Sequence, residues 1–268
     1  GIKGVMSWIG SLWMGIFIYL LLLFLVADLI ILLGTIVQVI PRPVPQVIRF
    51  CAGLIGILLT TGLVSYGIYN ADQIKYASYE VQVKEPTLSD DMKITLISDL
   101  HLGAMNSEKR LESIVQGIND LEPDIVCLAG DIFNGDYNAV YNPDEAIDLL
   151  KGITAKYGVY ACLGNHDSGS DFSEMLQFFK NAGIRLLCEE GVDLDGILLY
   201  GRTDMTPGGD LTHRRKAIEE SLRDVDKNQV IIVMDHQPGD IENSQKAGVD
   251  LLLSGHTHGG QFFPVHRM

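Results

Sequence analysis

The first 71 residues are almost free of charge, and this feature restricts the fold of the chain more than any other. Lys3, Asp28, Arg42 and Arg49 are the only charged residues there, although the chain as a whole has 20 Lys and Arg and 34 Asp and Glu residues. Two uncharged apolar runs, 4–27 and 50–71, are each long enough to cross a bilayer, which takes about 20 residues. We therefore predict a membrane region followed by a water-soluble domain.

The sequence PRPVP at 41–45 separates the two runs and predicts a short connection, because proline lacks the backbone N–H and ends helices. We predict a transmembrane helical hairpin in 1–71, with helices at about 5–38 and 48–70, and a linker at 72–91. A cleaved signal peptide is the alternative for the first run, but its apolar core would span only about 7–15 residues. Asp28 is either a functional intramembrane carboxylate or a residue at headgroup level, and we favour the second interpretation.

Positive charge near the hairpin predicts its orientation. Arg42 and Arg49 flank the turn, whereas Lys75 is the only cation that closely follows the second run. The positive-inside rule then places the turn in the cytoplasm and the soluble domain on the opposite side of the membrane, while Lys3 argues for the opposite orientation. We also expect the sequence to be part of a longer chain, with a catalytic domain at 92–268 that is truncated at its C-terminus.

From residue 92 onward, strand-like and helix-like patterns alternate, which predicts an α/β domain with largely parallel pairing. The predicted strands are 93–98, 124–129, 158–163, 185–188, 197–200, 229–234 and 250–253, and the predicted helices are 109–121, 144–155, 171–182 and 211–222. The domain is acidic and has no large cluster of Lys and Arg, so nucleic acid is not an expected partner. We interpret the short basic run Arg214, Arg215 and Lys216 as a solvated face of the last predicted helix.

Five of these strands are followed directly by polar segments rich in small residues. The segments are SDLH (98–101), GD (130–131), GNHD (164–167), DH (235–236) and GHTHGG (255–260). Each one alone could be a helix cap, a core histidine or a glycine turn, but five in succession require a common cause. Sites in α/β sheets collect at the carboxyl ends of strands, and imidazole, carboxylate and amide groups are the ligands of two-metal hydrolytic sites. The four cysteines lack the spacing of zinc ligands, so we expect free thiols.

In this order and spacing, the five segments resemble the calcineurin-like metallophosphoesterase superfamily, and most of all its bacterial membrane-associated phosphohydrolases. The resemblance covers about residues 92–264. It implies a four-layer αββα sandwich and hydrolysis of phosphodiester or phosphomonoester bonds by a metal-bound hydroxide at a dinuclear site. Since no thiolate is among the ligands, Mn²⁺ is the expected ion, with Fe or Zn²⁺ as alternatives.

The resemblance also implies a role for individual residues. His166 and Asp131 are the expected catalytic residues, and His166 either protonates the leaving oxygen as a general acid or stabilises charge on the phosphoryl group. Asp167 and Asn134 stand beside the site, and we expect Asp167 to orient its loop. The two ions share Asp131; Asp99, His101 and His258 complete the first site, and Asn165, His236 and His256 complete the second. His213 and His266 lie outside the motifs, and we interpret both as ordinary surface or loop residues.

The sequence departs from the protein Ser/Thr phosphatases of this superfamily. They carry a second Asp and an Arg-Gly pair where this chain has Asn134, Gly135 and Asp136, and a Glu where it has Asp167. Protein phosphatase activity is therefore not expected, and phosphodiester or pyrophosphate substrates are favoured. We interpret 201–211 as a candidate cover of the specificity pocket.

A membrane anchor favours a lipid bilayer partner and a lipid-linked or cell-wall-linked phosphoester substrate. A pyrophosphohydrolase of the UDP-2,3-diacylglucosamine type, acting on lipid-linked nucleotides, is the alternative within the same class. A non-catalytic metal-binding membrane protein is the alternative from another class. The oligomeric state is left open by the sequence.

Overall fold

The structure is a computed structural model of the 268-residue chain, and it describes residues 2–83, 91–103, 107–205 and 215–260. The chain forms two compact units, Gly1–Ser78 and Tyr79–Met268. The limits 1–71, 72–91 and 92–268 that the sequence favours for the membrane region, linker and catalytic domain stay predictions.

The first unit is a helical hairpin of α1 (Ile2–Ile36) and α2 (Gln46–Ala71). The two helices approach closely at Gly56, where a Cβ would lie 2.7 Å from the Phe24 ring of α1. In the connection, Arg42 Nη2 donates a hydrogen bond to Thr35 Oγ1 at 3.3 Å. The segments Leu12–Ile36 and Gln46–Ala71 are long and apolar enough to cross a membrane. Of the residues in their most apolar 18-residue stretches, 0% and 11% are buried within the protein. The predicted apolar hairpin is confirmed.

The second unit contains two four-stranded sheets. All pairs in the first sheet are parallel, and its strands lie in the order β1 (Ile94–Ile97), β2 (Ile125–Ala129), β3 (Val159–Cys162) and β4 (Arg185–Leu186). The helices that connect these strands are α3 (Ser107–Asp120), α4 (Pro143–Lys151) and α5 (Phe172–Asn181).

In the second sheet, one edge pair is antiparallel and the other two pairs are parallel. Its strands lie in the order β5 (Glu190–Leu194), β6 (Ile197–Gly201), β7 (Val230–Met234) and β8 (Leu251–Leu253). Two short helices accompany this sheet, α6 (Ile218–Ser221) and α7 (Ile241–Lys246).

Alternation along the central strands produces four layers. In β2, Val126 and Leu128 pack into the apolar cluster formed with α3, α4 and α5, whereas Cys127 and Ala129 face the second sheet. In β7, Ile232 faces the first sheet, while residues of alternate position pack against α6 and α7. Successive side chains of a strand point to opposite faces, so each sheet is covered on both sides. The predicted αββα sandwich is confirmed.

The structure corrects the predicted elements in the second sheet. The sequence patterns do not predict β5 or α7. Strand β5 pairs with β6 through a two-residue turn at Asp195 and Gly196, both with positive φ. An Asp-Gly pair is the usual signal for such a hairpin. The predicted helix at 211–222 is wrong in extent, because among the described residues only Ile218–Ser221 is helical. His213, His266, Arg214 and 206–211 lie outside the described residues.

Candidate metal centre

The polar segments that follow β1, β2, β7 and β8 are tied together beyond the ends of the strands. The Asp99 N–H donates to the Gly130 carbonyl and the His101 N–H to the Asp131 carbonyl, both at 3.0 Å. On the other sheet, the Gly255 N–H donates to the His236 carbonyl at 3.0 Å. The backbone therefore fixes the polar side chains of each sheet at its carboxyl edge, as parallel strand order requires.

Two groups of side chains at this edge have the geometry of metal sites. In each group, one ligand atom from every residue lies within 4.8 Å of the others. In the first, Nε2 of His258 lies 3.3 Å from Asp99 Oδ1 and 3.3 Å from His101 Nε2. The first ligand group is Asp99, His101 and His258, and the second ligand group is Asp131, His236 and His256.

Asp131 lies between the two ligand groups. Its Oδ2 is 3.2 Å from His236 Nε2 in the second group and 3.7 Å from His101 Nε2 in the first. Its Oδ1 accepts a hydrogen bond from the His166 backbone N–H at 2.8 Å. A carboxylate in this position can contribute to both ions of a two-metal site.

Glycines allow the segments to approach one another around Asp131. A Cβ at Gly164 would overlap the Asp131 carboxylate, and one at Gly130 would lie 2.7 Å from both the Gly164 nitrogen and the His236 ring. A Cβ at Gly255 would lie 2.5 Å from Asp99 Oδ2. Gly130, Gly164 and Gly255 are thus required by close packing at the site.

Five of the seven predicted ligands have a left-handed backbone conformation, which is uncommon for residues other than glycine. Such residues cost on the order of 1–3 kcal/mol each when the surroundings hold them there, and they cluster at functional sites. They are Asp99, His101, Asp131, His256 and His258, with φ of 57°, 48°, 53°, 69° and 47°.

Burial and charge shift the pKa of several groups. Burial lowers the pKa of His101. Burial acts against ionisation of Asp131, but the neighbouring His236 and the His166 N–H outweigh it, so the pKa of Asp131 is lowered. Burial also opposes the charge on His236, but the Asp131 carboxylate and the Ala129 carbonyl, 2.8 Å from Nδ1, raise its pKa to about 9. A cation that binds His236 therefore has to displace a proton.

A buried polar atom without a hydrogen-bond partner tests whether these residues fit metal ions. Among the described residues, Asn165 Oδ1 is such an atom, whereas the buried His236 Nε2 has the Asp131 carboxylate 3.2 Å away. A buried polar atom without a partner is unfavourable unless something else binds it. Imidazole nitrogen together with carboxylate and amide oxygen suits divalent ions of the Mn²⁺, Fe and Zn²⁺ type. The residues present therefore fit the ions that the sequence predicts.

His166 stands outside both ligand groups. Its side chain is exposed, and its ring centroid lies 5.1 Å from that of His101. The position is open to a substrate that lies over the first ligand group. Asn134, also exposed, is held through its backbone, whose N–H donates to the Leu102 carbonyl at 3.0 Å.

Asp167 is buried and ties two loops of the site together. Its Oδ1 accepts from the Phe133 N–H at 2.8 Å and its Oδ2 from the Gly164 N–H at 2.9 Å. Burial raises the pKa of this carboxyl to about 7, against the effect of the two N–H donors. These contacts agree with an orienting role rather than a direct chemical one.

Two arginines behind the site are not predicted by the sequence motifs. Arg202 and Arg215 both bind Asp235, the residue that precedes His236. The prediction that the basic run at 214–216 is a solvated helix face is wrong for Arg215, whose side chain is 16% exposed and lies outside any helix. The available signal was an acidic residue between an apolar strand and a predicted ligand, because a buried carboxylate needs charged or hydrogen-bonding partners.

The fold, the ligand groups and the polar segments agree with one family of hydrolases. The family model for the calcineurin-like phosphoesterases matches residues 92–260. The chain belongs to this family and is a hydrolase of phosphoric ester bonds. Its members bind divalent metals, and the two ligand groups are the candidate sites for them.

Curated relatives extend the comparison. An uncharacterized metallophosphoesterase of Aquifex aeolicus is 32% identical over 193 residues, which cover 72% of each chain. A second one, from Campylobacter jejuni, is 30% identical and covers 81% of this chain and 57% of its own length. A transmembrane protein with metallophosphoesterase domain from Danio rerio is 28% identical, and the match covers 79% of this chain and 51% of the relative. The chain thus spans little more than half the length of the last two relatives.

Proposed function

We propose that the chain is a membrane-anchored phosphoesterase with a dinuclear metal site. The observation that carries this proposal is the placement of Asp131 between two ligand groups, within 3.2 Å of His236 and 3.7 Å of His101. Asp99 and His258 would hold one ion with His101, and His256 and Asn165 would complete the other. Two bound divalent ions supply a nucleophile at neutral pH and neutralise charge on the phosphoryl group.

The protein's own contribution to proton transfer falls to His166. Its backbone N–H is anchored on Asp131 Oδ1, so the residue is fixed relative to the ligand groups while its ring stays exposed. An imidazole in this position can protonate the leaving oxygen of a phosphoester, since histidine is the side chain most often used as a general acid. Asp167 supports this by holding the Gly164 N–H, one residue before Asn165.

The hairpin supports a membrane location and hence a substrate close to the bilayer. The two apolar segments of α1 and α2 are each long enough to cross, and one relative is described as a transmembrane protein. The bilayer is then the first partner, and a lipid-linked or cell-wall-linked phosphodiester is the expected substrate. Arg42 and Arg49 at the turn favour an extracytoplasmic catalytic unit in a bacterial cell membrane.

A lipid-linked nucleotide pyrophosphate is the alternative substrate, and topology separates it from wall polymers. A reporter fused after residue 268 that is active only in the cytoplasm would favour the nucleotide substrate. A reporter active outside the cell would favour the wall-linked phosphodiester.

The proposed activity is tested on the full chain in detergent. After removal of metal by a chelator, Mn²⁺ should restore hydrolysis of bis(p-nitrophenyl) phosphate. Asp131→Asn should abolish the restored activity, whereas the surface variant Lys151→Ala should retain it. Bound metal without turnover on diesters, monoesters or pyrophosphates would instead support the non-catalytic metal-binding alternative.

A further inference from the structure

Asp235 is a buried carboxylate whose oxygens are taken up by two arginines. Its side chain is 1% exposed, and Arg215 binds it with both terminal nitrogens, Nη1 to Oδ1 at 2.9 Å and Nη2 to Oδ2 at 2.7 Å. Arg202, also 1% exposed, adds a contact from Nη1 to Oδ2 at 3.3 Å. The two-pronged contact fixes orientation as well as charge, because the guanidinium fork matches both carboxylate oxygens.

Asp235 and the His236 ring lie on opposite sides of the second sheet. In β7, Val233 packs on the side of α6 and α7, and Met234 packs between the two sheets. Alternation along an extended segment then directs Asp235 toward the helices and His236 toward the first sheet. There the His236 Nδ1 contacts the Ala129 carbonyl at 2.8 Å. The end of β7 is therefore held from both faces, by arginines on one and by the first sheet on the other.

The arginines are themselves fixed by further contacts. Arg202 Nη1 donates to Asp240 Oδ2 at 2.8 Å and Nη2 to the Lys216 carbonyl at 2.7 Å. Arg215 Nη1 also donates to the Thr203 carbonyl at 2.8 Å. These bonds join residues after β6, residues before α6 and the start of α7 to the carboxylate behind His236. Arg202, Thr203 and Asp235 are buried, and each arginine has more than one partner, so the network holds the carboxylate in one orientation.

We propose that Arg202 and Arg215 are positioning residues of the metal centre. By forming hydrogen bonds to both carboxylate oxygens of Asp235, they fix the position of the next residue, His236, in the second ligand group. The inference rests on the proposed two-ion function. Neither arginine belongs to a ligand group, so both act through Asp235 and the backbone of the next residue. The first ligand group takes no residue from β7 or the segment directly after it, so loss of an arginine should affect this group much less than the second.

The test measures how many Mn²⁺ ions the full chain binds in detergent, and how tightly, by calorimetric titration and elemental analysis. Arg215→Met should lower the binding affinity for one of the two ions by about 10- to 100-fold. This is the range seen when residues that orient a metal ligand are removed. The other ion should keep its affinity. Arg215→Lys should give an intermediate loss, because it restores the charge without the fork.

Lys227→Met is the matched control. Lys227 Nζ donates to the Leu222 and Ala247 carbonyls, both at 2.9 Å, and it precedes β7 at the end of the strand opposite His236. Its loss should lower the unfolding temperature and leave both ions bound as in the unchanged chain. A variant that acts only through general stability would behave like this control.

A second variant covers the case in which Arg215→Met does not fold. Asp235→Asn combined with Arg215→Gln removes both charges, so no unpaired buried ion is left, and one ion should again be weakened selectively. Two ions of unchanged affinity in both Arg215→Lys and this double variant would overturn the inference. An unchanged chain that binds fewer than two ions would instead refute the proposed dinuclear function.

Discussion

The two ligand groups are built from similar residues in different surroundings. In the first, the side chains of Asp99 and His258 are 12% and 30% exposed, whereas in the second those of Asp131 and His236 are 2% and 0% exposed. The two first-group histidines stack on each other, with ring centroids 5.2 Å apart, while His236 is fixed by a backbone carbonyl. Since charges interact more strongly away from water, we expect the second group to hold its ion more tightly and the first to face the substrate.

Asp131→Asn should have the largest effect, because it removes the contact between the two groups. An amide carries no charge and cannot serve two cations, so hydrolysis should fall by more than about 1,000-fold. Metal analysis should show both ions weakened. Loss of a single ion, with the other bound normally, would show that Asp131 belongs to one group only.

His166→Asn should separate chemistry from metal binding. Loss of a general acid lowers the turnover number by about 100- to 10,000-fold. Both ions should remain bound with unchanged affinity, because the ring lies in neither ligand group. A substrate with a very acidic leaving group should be much less affected, since it needs no proton. Equal losses on good and poor leaving groups would contradict the assigned role.

The second group should show a steeper pH dependence of metal binding than the first. Its His236 has a pKa near 9 in the metal-free protein, above its ordinary value of 6.5, and metal binds the neutral ring. Affinity at this group should therefore rise by about tenfold per pH unit up to about pH 9. Manganese titrations between pH 6.5 and 9 measure this.

The metal-free chain should show the opposite trend in stability. Because the folded pKa of His236 is raised, its contribution is complete below pH 6.5 and is lost as pH rises through 9. The unfolding temperature in chelator should fall over this interval, apart from the effects of other groups, and His236→Gln should flatten the fall. A variant with an unchanged slope would show that another group is responsible.

Asp167→Asn should have the smallest effect and should alter stability more than metal affinity. The amide can accept from the Phe133 or the Gly164 N–H but not from both, which costs about 1–3 kcal/mol at pH 5. The carboxyl pKa of about 7 lies above the ordinary 3.8, so the group's stabilisation is lost as pH rises toward and through 7. The variant should lack this loss. Unfolding midpoints from pH 4 to 8 test it, and a slope equal to that of the unchanged chain would refute it.

The regular parts of the fold follow from local patterns in the sequence. Strand β2 is a continuous apolar run with both faces buried. Asp131, which follows shortly after it, lies in the second ligand group. Strand β5 has only two large apolar side chains among its five residues and is largely exposed, so hydrophobicity alone did not reveal it. Arg215 looks like any surface cation in sequence, and only the distant Asp235 gives it a buried partner.

The grouping of the ligands illustrates the same limit. The motifs predict which residue types lie at the carboxyl edge of the sheets. The structure arranges six of these residues in two groups of three. Their left-handed backbone could not be predicted, because aspartate and histidine adopt it more often than most residues but still only in a minority of cases. Contacts such as the Asp99 N–H to the Gly130 carbonyl, between segments far apart in the chain, impose it.

The left-handed conformation of these ligands has a consequence for the evolution of inactive relatives. Glycine at the position of Asp99 or His258 would remove the backbone strain. It would also remove the side-chain atom that can bind a metal ion, which is the functional reason for the strained conformation. A descendant that no longer needed hydrolysis would thus become more robust by losing these side chains. We expect inactive members of such a lineage to melt at higher temperature without metal than their working ancestors.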